Sequence, residues 1–443
     1  METNTVTARY LMRILLFAVL AAMMGLGMST VAKETPAQLP DPSGKAAPSV
    51  AAKRKVGYPH FSWDRVPLYA HVGLGDGLKG EQYKFLADHY DFIAFTGGRM
   101  SREYRTNKEM SFEGLIANAA RTIKTRNPKA RVLFYWSGDF GRTHAKISNA
   151  TLPKNVTFPF KKGTRSIQLF DTTNPALRSW WAGVAGKAVI EYSCDGIFLD
   201  GGTAYRPGSS YERVLGKVKA RKLEHGMFAM IREAKQKMGK DSIILLNPLH
   251  GPKKGQKQEE ALGWRYLDVV DGAMVDDFDR AANIIKRRQS KEYIAETIKI
   301  MSAAARRGEI VVFKAWPGFT WWSDKKLMEK SHAEQYAVAV KNIGFPLASF
   351  LIGAGEHCYF CYTWGWLPEY GTFDWYPEFD RPLGAPKGDA VRTGWTFRRE
   401  FQHASVFLDL EKRIGKIDWK KKYARRRRVS AILRAGCPPA VPE

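Results

Sequence analysis

Short, nearly continuous apolar runs alternate along this chain with longer segments in which apolar residues recur every three or four positions. The runs predict strands at Pro67–Val72, Tyr90–Thr96, Arg131–Ser137, Gly196–Asp200, Ser242–Asn247, Gly272–Asp276, Ile310–Ala315 and Cys358–Thr363. A strand buried on both faces loses the in–out alternation of a half-exposed one, so these runs point to parallel strands covered by helices. Between them, Leu115, Ile116, Ala119 and Ile123 keep helical spacing before the stop at Asn127-Pro128. Asn174 caps a helix with Pro175 in its first turn, predicted to run to about Tyr192. Tyr293, Ile294, Thr297, Ile298 and Met301 form one apolar face that ends at Gly308. Ser331-His332-Ala333-Glu334 is a capping box for a helix stopping at Gly344.

Eight alternations of strand and helix fit either a closed (β/α)8 barrel, the TIM-barrel architecture, or a doubly wound sheet. The count favours the barrel. The glycines of Gly73-Leu74-Gly75-Asp76-Gly77 have the wrong spacing for a dinucleotide fingerprint. Beyond the eighth strand the period changes to two. Val406–Leu410, a charged turn and Ile414–Trp419 predict a β hairpin within 395–419, next to a barrel spanning 56–394.

The chain's first 32 residues read as an export signal. Arg9 and Arg13 precede the uncharged run Ile14–Met28, and Thr30-Val31-Ala32 offers a small-residue cleavage site. The run is short of the ~20 residues of a membrane span. The expectation is therefore a periplasmic or secreted protein, with anchoring by an uncleaved segment as the alternative. A Pro-, Ala-, Ser- and Lys-rich linker follows over 33–55. The sequons Asn149-Ala150-Thr151 and Asn155-Val156-Thr157 carry weight only if a eukaryote secretes the chain.

Charge and cysteines change the picture less. The 443 residues carry a formal charge of +26, which favours anionic partners: an acidic polysaccharide, an envelope surface or nucleic acid. The densest cluster, Lys420 to Arg428, lies in a basic tail over 420–443 and reads as surface adhesion. No nucleic-acid-binding signature accompanies it, so no specific nucleic acid is expected. Of Cys194, Cys358, Cys361 and Cys437, the middle two form Cys-Tyr-Phe-Cys inside a strand-like run. Residues three apart on a strand face opposite sides, so they read as buried small residues rather than as metal or redox ligands.

In a barrel, chemistry stands at the carboxyl ends of the strands. Those ends supply His71, Thr96, Trp136 with Asp139, Asp200, Asn247, Asp276 with Asp277, Trp316, and Tyr362 with Trp364. Lys314 and Glu356 lie near strands seven and eight, as ion-pair partners or as site residues. Carboxylates beside aromatics suit sugars: rings stack on pyranose faces, and two carboxylates supply the acid and the base or nucleophile of acetal cleavage. Asp200 closes an apolar strand before two glycines that leave room for a ligand, and is the leading catalytic candidate. Of Asp276 and Asp277, adjacent and so facing opposite ways, Asp276 shares parity with Met274 and is preferred. Asp276, Asp277 and Asp279 lack calcium-loop spacing, and neither metal nor cofactor is expected.

The run Phe170-Asp171-Thr172-Thr173-Asn174-Pro175-Ala176-Leu177-Arg178, followed by Asp195-Gly196-Ile197-Phe198-Leu199-Asp200, resembles barrel glycoside hydrolases. With Gly272–Phe278 and Phe397-Arg398-Arg399-Glu400-Phe401, it is similar to the hypothetical glycosyl-hydrolase-like families, the fifteenth in particular. The resemblance covers roughly Val66 to Trp419. It implies a (β/α) barrel with a carboxylate on strand four, and no particular sugar.

The expected function is glycoside hydrolysis of a poly- or oligosaccharide. Two rivals remain: a non-catalytic carbohydrate-binding envelope protein on a degenerate barrel, and another hydrolase or lyase acting on polysaccharide.

Overall fold

The computed structural model describes residues 57–98, 111–141, 145–162, 165–278 and 289–420. The expected signal (1–32), the linker (33–55), Cys437, Asp279 and the basic tail past Lys420 lie outside the described residues, as does the side chain of Asp277.

All eight anticipated strands form. They are β1 (Ala70–Gly73), β2 (Phe92–Thr96), β3 (Arg131–Ser137), β6 (Gly196–Asp200), β7 (Ile243–Leu246), β8 (Gly272–Phe278), β9 (Ile310–Ala315) and β10 (Cys358–Tyr362). An antiparallel hairpin of β4 (Thr157–Lys162) and β5 (Arg165–Phe170) is inserted after β3. The eight barrel strands pair in chain order, all parallel. The ring closes where Leu68 bridges Phe360: the Tyr69 amide donates to the Phe360 carbonyl and the Phe360 amide to that of Pro67. Sequential order and closure make this a barrel and exclude the doubly wound alternative.

Alternate residues of each strand separate into two cores. Tyr69, Phe92, Leu133, Phe198, Leu245, Met274, Val312 and Tyr359 fill the barrel interior. Val72, Phe95, Phe134, Leu199, Leu246, Val275, Phe313 and Phe360 pack outward under the helices. The two cysteines of Cys-Tyr-Phe-Cys divide as expected, Cys361 inside and Cys358 outside, both buried as free thiols. Tyr58 and Phe61 stopper the amino-terminal end, with the Tyr58 hydroxyl on the Asp271 carbonyl and Phe61 edge-on to Tyr359.

Helices cover the barrel: α1 (Gly80–His89), α2 (Phe112–Arg126), α3 (Lys146–Ala150), α4 (Pro175–Ile190), α5 (Ser210–Leu215), α6 (Lys217–Met238), α7 (Lys291–Arg306), α8 (Lys325–Met328), α9 (His332–Asn342) and α10 (Gly344–Gly353). The predicted caps form: Asn174 accepts from the Ala176 amide, and Ser331 and Glu334 close their capping box.

The carboxyl-terminal extension is larger than a hairpin. β11 (Val391–Thr393), β12 (Thr396–Glu400), β13 (Ala404–Asp409) and β14 (Ile414–Trp419) form a four-stranded antiparallel sheet. The anticipated pair is β13–β14. β12 also falls within the anticipated 395–419 extension, and β11 precedes it. The sheet packs on α10, which is apolar apart from Ser349. Arg399 reaches through it to the carbonyls of Leu351 and Ala354 (2.9 and 2.6 Å), a cation capping the negative end of that helix. No single described helix is long and apolar enough to cross a membrane.

Candidate active site

Strand parity decides what reaches the mouth. Inward residues alternate, so the interior layer of Phe198, Leu245, Met274 and Val312 is followed one step up by Asp200, Asn247, Asp276 and Lys314. Tyr135 and His71 join this ring from β3 and β1. Strands β6 and β8, which carry the two aspartates, flank β7, which places their backbones about 9–10 Å apart at the usual strand spacing.

Three donors fix the Asp200 carboxylate. The Tyr135 hydroxyl lies 2.5 Å from Oδ2; the Gly201 amide and the Asn247 side-chain amide lie 3.0 and 3.3 Å from Oδ1. Gly201 is required here. Its φ is +71°, and a Cβ would stand 2.4 Å from Asp139 Oδ1. Asp139 is itself buried and held by Ser137 and Tyr211 (2.9 and 3.1 Å), so it props the turn beneath Asp200 and does not face the mouth.

Asp276 meets His250 Nε2 at 3.2 Å, and its carbonyl accepts from the Trp316 indole at 2.8 Å. A β-bulge sits at this point. Val275 pairs with Phe313 and Phe278 with Ala315, so Asp276 and Asp277 together oppose Lys314 alone. Bulges re-aim side chains and are common beside active sites.

Lys314 is fully buried. Its ammonium donates to the Ala315 and Thr363 carbonyls (3.0 and 2.5 Å) and lies 3.8 Å above the Trp316 ring. Burial lowers its pKa to about 8, against opposing pulls from Cys361 and Asp276. Burial, with the nearby Lys314 charge, lowers His71 to about 3, so this imidazole is neutral at physiological pH. It lies between Phe198 and Trp366, both at 4.6 Å, with the Tyr69 hydroxyl at 3.1 Å from Nδ1.

An aromatic path leads outward from there. Trp366 meets Trp316 at 5.5 Å, Trp316 meets Trp322 at 5.2 Å, and Trp322 meets the exposed Trp321, which stacks on Tyr370 within 6° of parallel.

The mouth thus gathers His71, Asp200, Asn247, Asp276, Lys314 and Trp316 of the anticipated residues. Five others go elsewhere, Asp139 as described above among them. Trp136 has outward parity and packs on Trp180 and Trp181 of α4. Tyr362 also points outward, its hydroxyl on the Ala339 carbonyl of α9. Trp364 is buried against Phe319 and His332. Glu356 precedes β10 and so lies exposed at the opposite end of the barrel, lining a cleft of about 490 Å³ between α7 and β12. Tyr135 and His250 were not anticipated. Tyr135 shares the inward side of β3 with Leu133, and His250 lies three residues past Asn247; neither carries a clear signal in the sequence.

No metal-holding group of His, Cys, Asp or Glu occurs among the described residues. A closed (β/α)8 barrel whose strand ends carry carboxylates and whose loops carry tryptophans has the architecture of the barrel glycoside hydrolases. The chain belongs to the hypothetical glycosyl hydrolase family 15, whose family model matches residues 124–405. Among solved structures it is similar to a variant of the glycoside hydrolase domain of PelA from Pseudomonas aeruginosa (12% identity, 71% of this chain and 96% of that one, TM-score 0.41). It is also similar to an alpha-galactosidase from Thermus thermophilus (14%, 81% and 68%, TM-score 0.41). A third is an alpha-amylase from Geobacillus thermoleovorans (10%, 78% and 86%, TM-score 0.44). No curated protein sequence matches the chain.

Proposed function

We propose that this protein is an exported glycoside hydrolase that cleaves a poly- or oligosaccharide with Asp200 and Asp276. The observation that carries the reading is the parity of the two aspartates: both stand on the inward side, at the carboxyl ends of β6 and β8, two residues beyond the interior Phe198 and Met274. Donors from Tyr135, Asn247 and Gly201 suit Asp200 to serve as nucleophile or base at an anomeric carbon. Asp276, beside His250, is the partner that protonates the leaving oxygen. The aromatic path from Trp366 to Trp321 supplies faces for sugar rings beyond the cleaved bond.

A glycan panel screened with wild type and Asp200→Asn in parallel tests this. The substitution keeps shape and removes charge. Turnover should fall by roughly three orders of magnitude or more with binding and melting temperature nearly intact. Full turnover by Asp200→Asn on a substrate that the wild type cleaves refutes the mechanism. Ligand binding by both proteins, with cleavage by neither, identifies a carbohydrate-binding protein instead.

A further inference from the structure

One rim of the mouth carries a concentration of positive charge that folding does not explain. The β4–β5 hairpin follows β3, and α5 with the start of α6 follows β6, the strand that ends at Asp200. Both connections therefore lie on the carboxyl-end face. They are tied to the Asp200 edge. The Phe170 amide donates to the Asp139 carbonyl (2.8 Å), the Tyr211 hydroxyl of α5 to the Asp139 carboxylate (3.1 Å), and Asp139 supports Gly201.

On this rim Lys217, Lys219 and Lys222, all exposed, line an open hollow of about 440 Å³ with Leu215 and Val218. Lys219 also lies 4.0 Å over the Phe158 ring, which joins the helix to the hairpin. No carboxylate among the described residues forms an ion pair with these three lysines. Glu212, the acidic residue of α5, is occupied by the Gly208 amide at 2.7 Å. Lys219 and Lys222, three apart on the helix, repel each other, and Lys217 and Lys219 stand in the first turn of α6, at its positive end, where there is no acidic residue. Each of these features costs stability, and an anion lying across the ridge would offset both.

We propose that the ridge binds a polyanionic glycan, a uronate-bearing polysaccharide, and holds it across the mouth; this names the substrate class of the hydrolase reading and rests on it. A polymer suits the layout because the ridge and the aromatic path lie on connections of different strands, on the same face as Asp200. A lipid surface fits less well. Val214 and Val218 are 63% and 74% exposed, but two valines without an aromatic anchor offer little to insert. Nucleic acid fits less well too, since Phe158, the ring at the ridge, is already covered by Lys219.

The test uses the full chain, wild type against the combined Lys217→Gln, Lys219→Gln and Lys222→Gln variant. The basic tail is present in both, so only the ridge differs. Binding to polygalacturonate, neutral dextran, phosphatidylglycerol vesicles and duplex DNA is measured at low ionic strength and at about 0.15 M. Wild type should bind polygalacturonate more tightly than dextran and weaken with salt. The variant should bind it roughly tenfold more weakly, with a shallower salt dependence and a melting temperature equal to or above that of wild type. Equal polygalacturonate affinity in both proteins overturns the proposal. So does a ridge-dependent loss seen with vesicles or DNA but not with polygalacturonate. Asp200→Asn in the same assay should keep its polygalacturonate affinity, so failure of capture and failure of cleavage read out separately.

Discussion

Replacing Lys314 with Met removes a buried ammonium and keeps most of the stem. Burial lowers this lysine from 10.5 to about 8. At about 1.36 kcal/mol per pKa unit, holding it charged costs the fold about 3 kcal/mol. In the unfolded chain the lysine titrates near 10.5. Below pH 8 both states are protonated and the cost is constant. Between pH 8 and 10.5 the folded protein has released a proton that the unfolded chain still holds, so wild-type stability gains as pH rises. Bonds to the Ala315 and Thr363 carbonyls return part of the cost. Lys314→Met should therefore match or exceed wild-type stability at pH 7, and that advantage should shrink by about 2 kcal/mol by pH 10. Urea denaturation of both proteins at the two pH values measures the difference. Turnover should fall together with the cation that faces Asp276 across the bulge. A stability difference that stays flat from pH 7 to 10 would refute a buried, titrating Lys314. Intact turnover would remove it from the site.

Three further outcomes follow from the same geometry. Tyr135→Phe deletes the 2.5 Å bond to Asp200 and should lower kcat by about 10–100-fold with little change in melting temperature, read from steady-state kinetics and calorimetry. Trp136→Ala empties a fully buried site between β3 and α4, so it should cost about 3–5 kcal/mol in chemical denaturation and leave the KM of the folded fraction unchanged. Removing residues 421–443 should preserve turnover of a small neutral substrate and reduce salt-sensitive adsorption to anionic surfaces, checked by activity and by retention on a cation exchanger.

The barrel was legible in the sequence because each strand is buried on both faces and stands out as an apolar run between helical periods. The same property hid the orientation of the strand ends. On β3, Val132, Phe134 and Trp136 are apolar, and so are Leu133 and Tyr135, so composition does not say which set faces inward. Trp136 therefore looks like a mouth residue in the sequence, and Tyr135 does not stand out. On β6 and β8 the inward set ends in a lone carboxylate, and there parity could be read. Glu356 was misplaced because it sits close to β10 in sequence but precedes that strand. The β4–β5 hairpin carries no clear strand signal because Pro159 stands inside β4. Two further aspartates show how far residue type alone misleads. Asp195 and Asp271, just before β6 and β8, pair with Lys124 and Arg131, and with Lys235. They staple the far end of the barrel, five positions before Asp200 and Asp276.

The sheet over α10 bears on how the molecule can be made. That helix, Gly-Phe-Pro-Leu-Ala-Ser-Phe-Leu-Ile-Gly, has a single polar side chain, Ser349, bonded back to its own Phe345 carbonyl, and β12, β13 and β14 cover the flank that the barrel leaves open. The fit is close enough that a Cβ on Gly415 would stand 2.4 Å from the Gly344 carbonyl. The sheet behaves as an intramolecular surfactant, masking a greasy rod that would otherwise recruit other chains. During synthesis the rod emerges from the ribosome well before its mask and stays adhesive in the interval. A recombinant fragment trimmed at residue 394, where the change of period invites a cut, would keep all eight barrel strands and still precipitate.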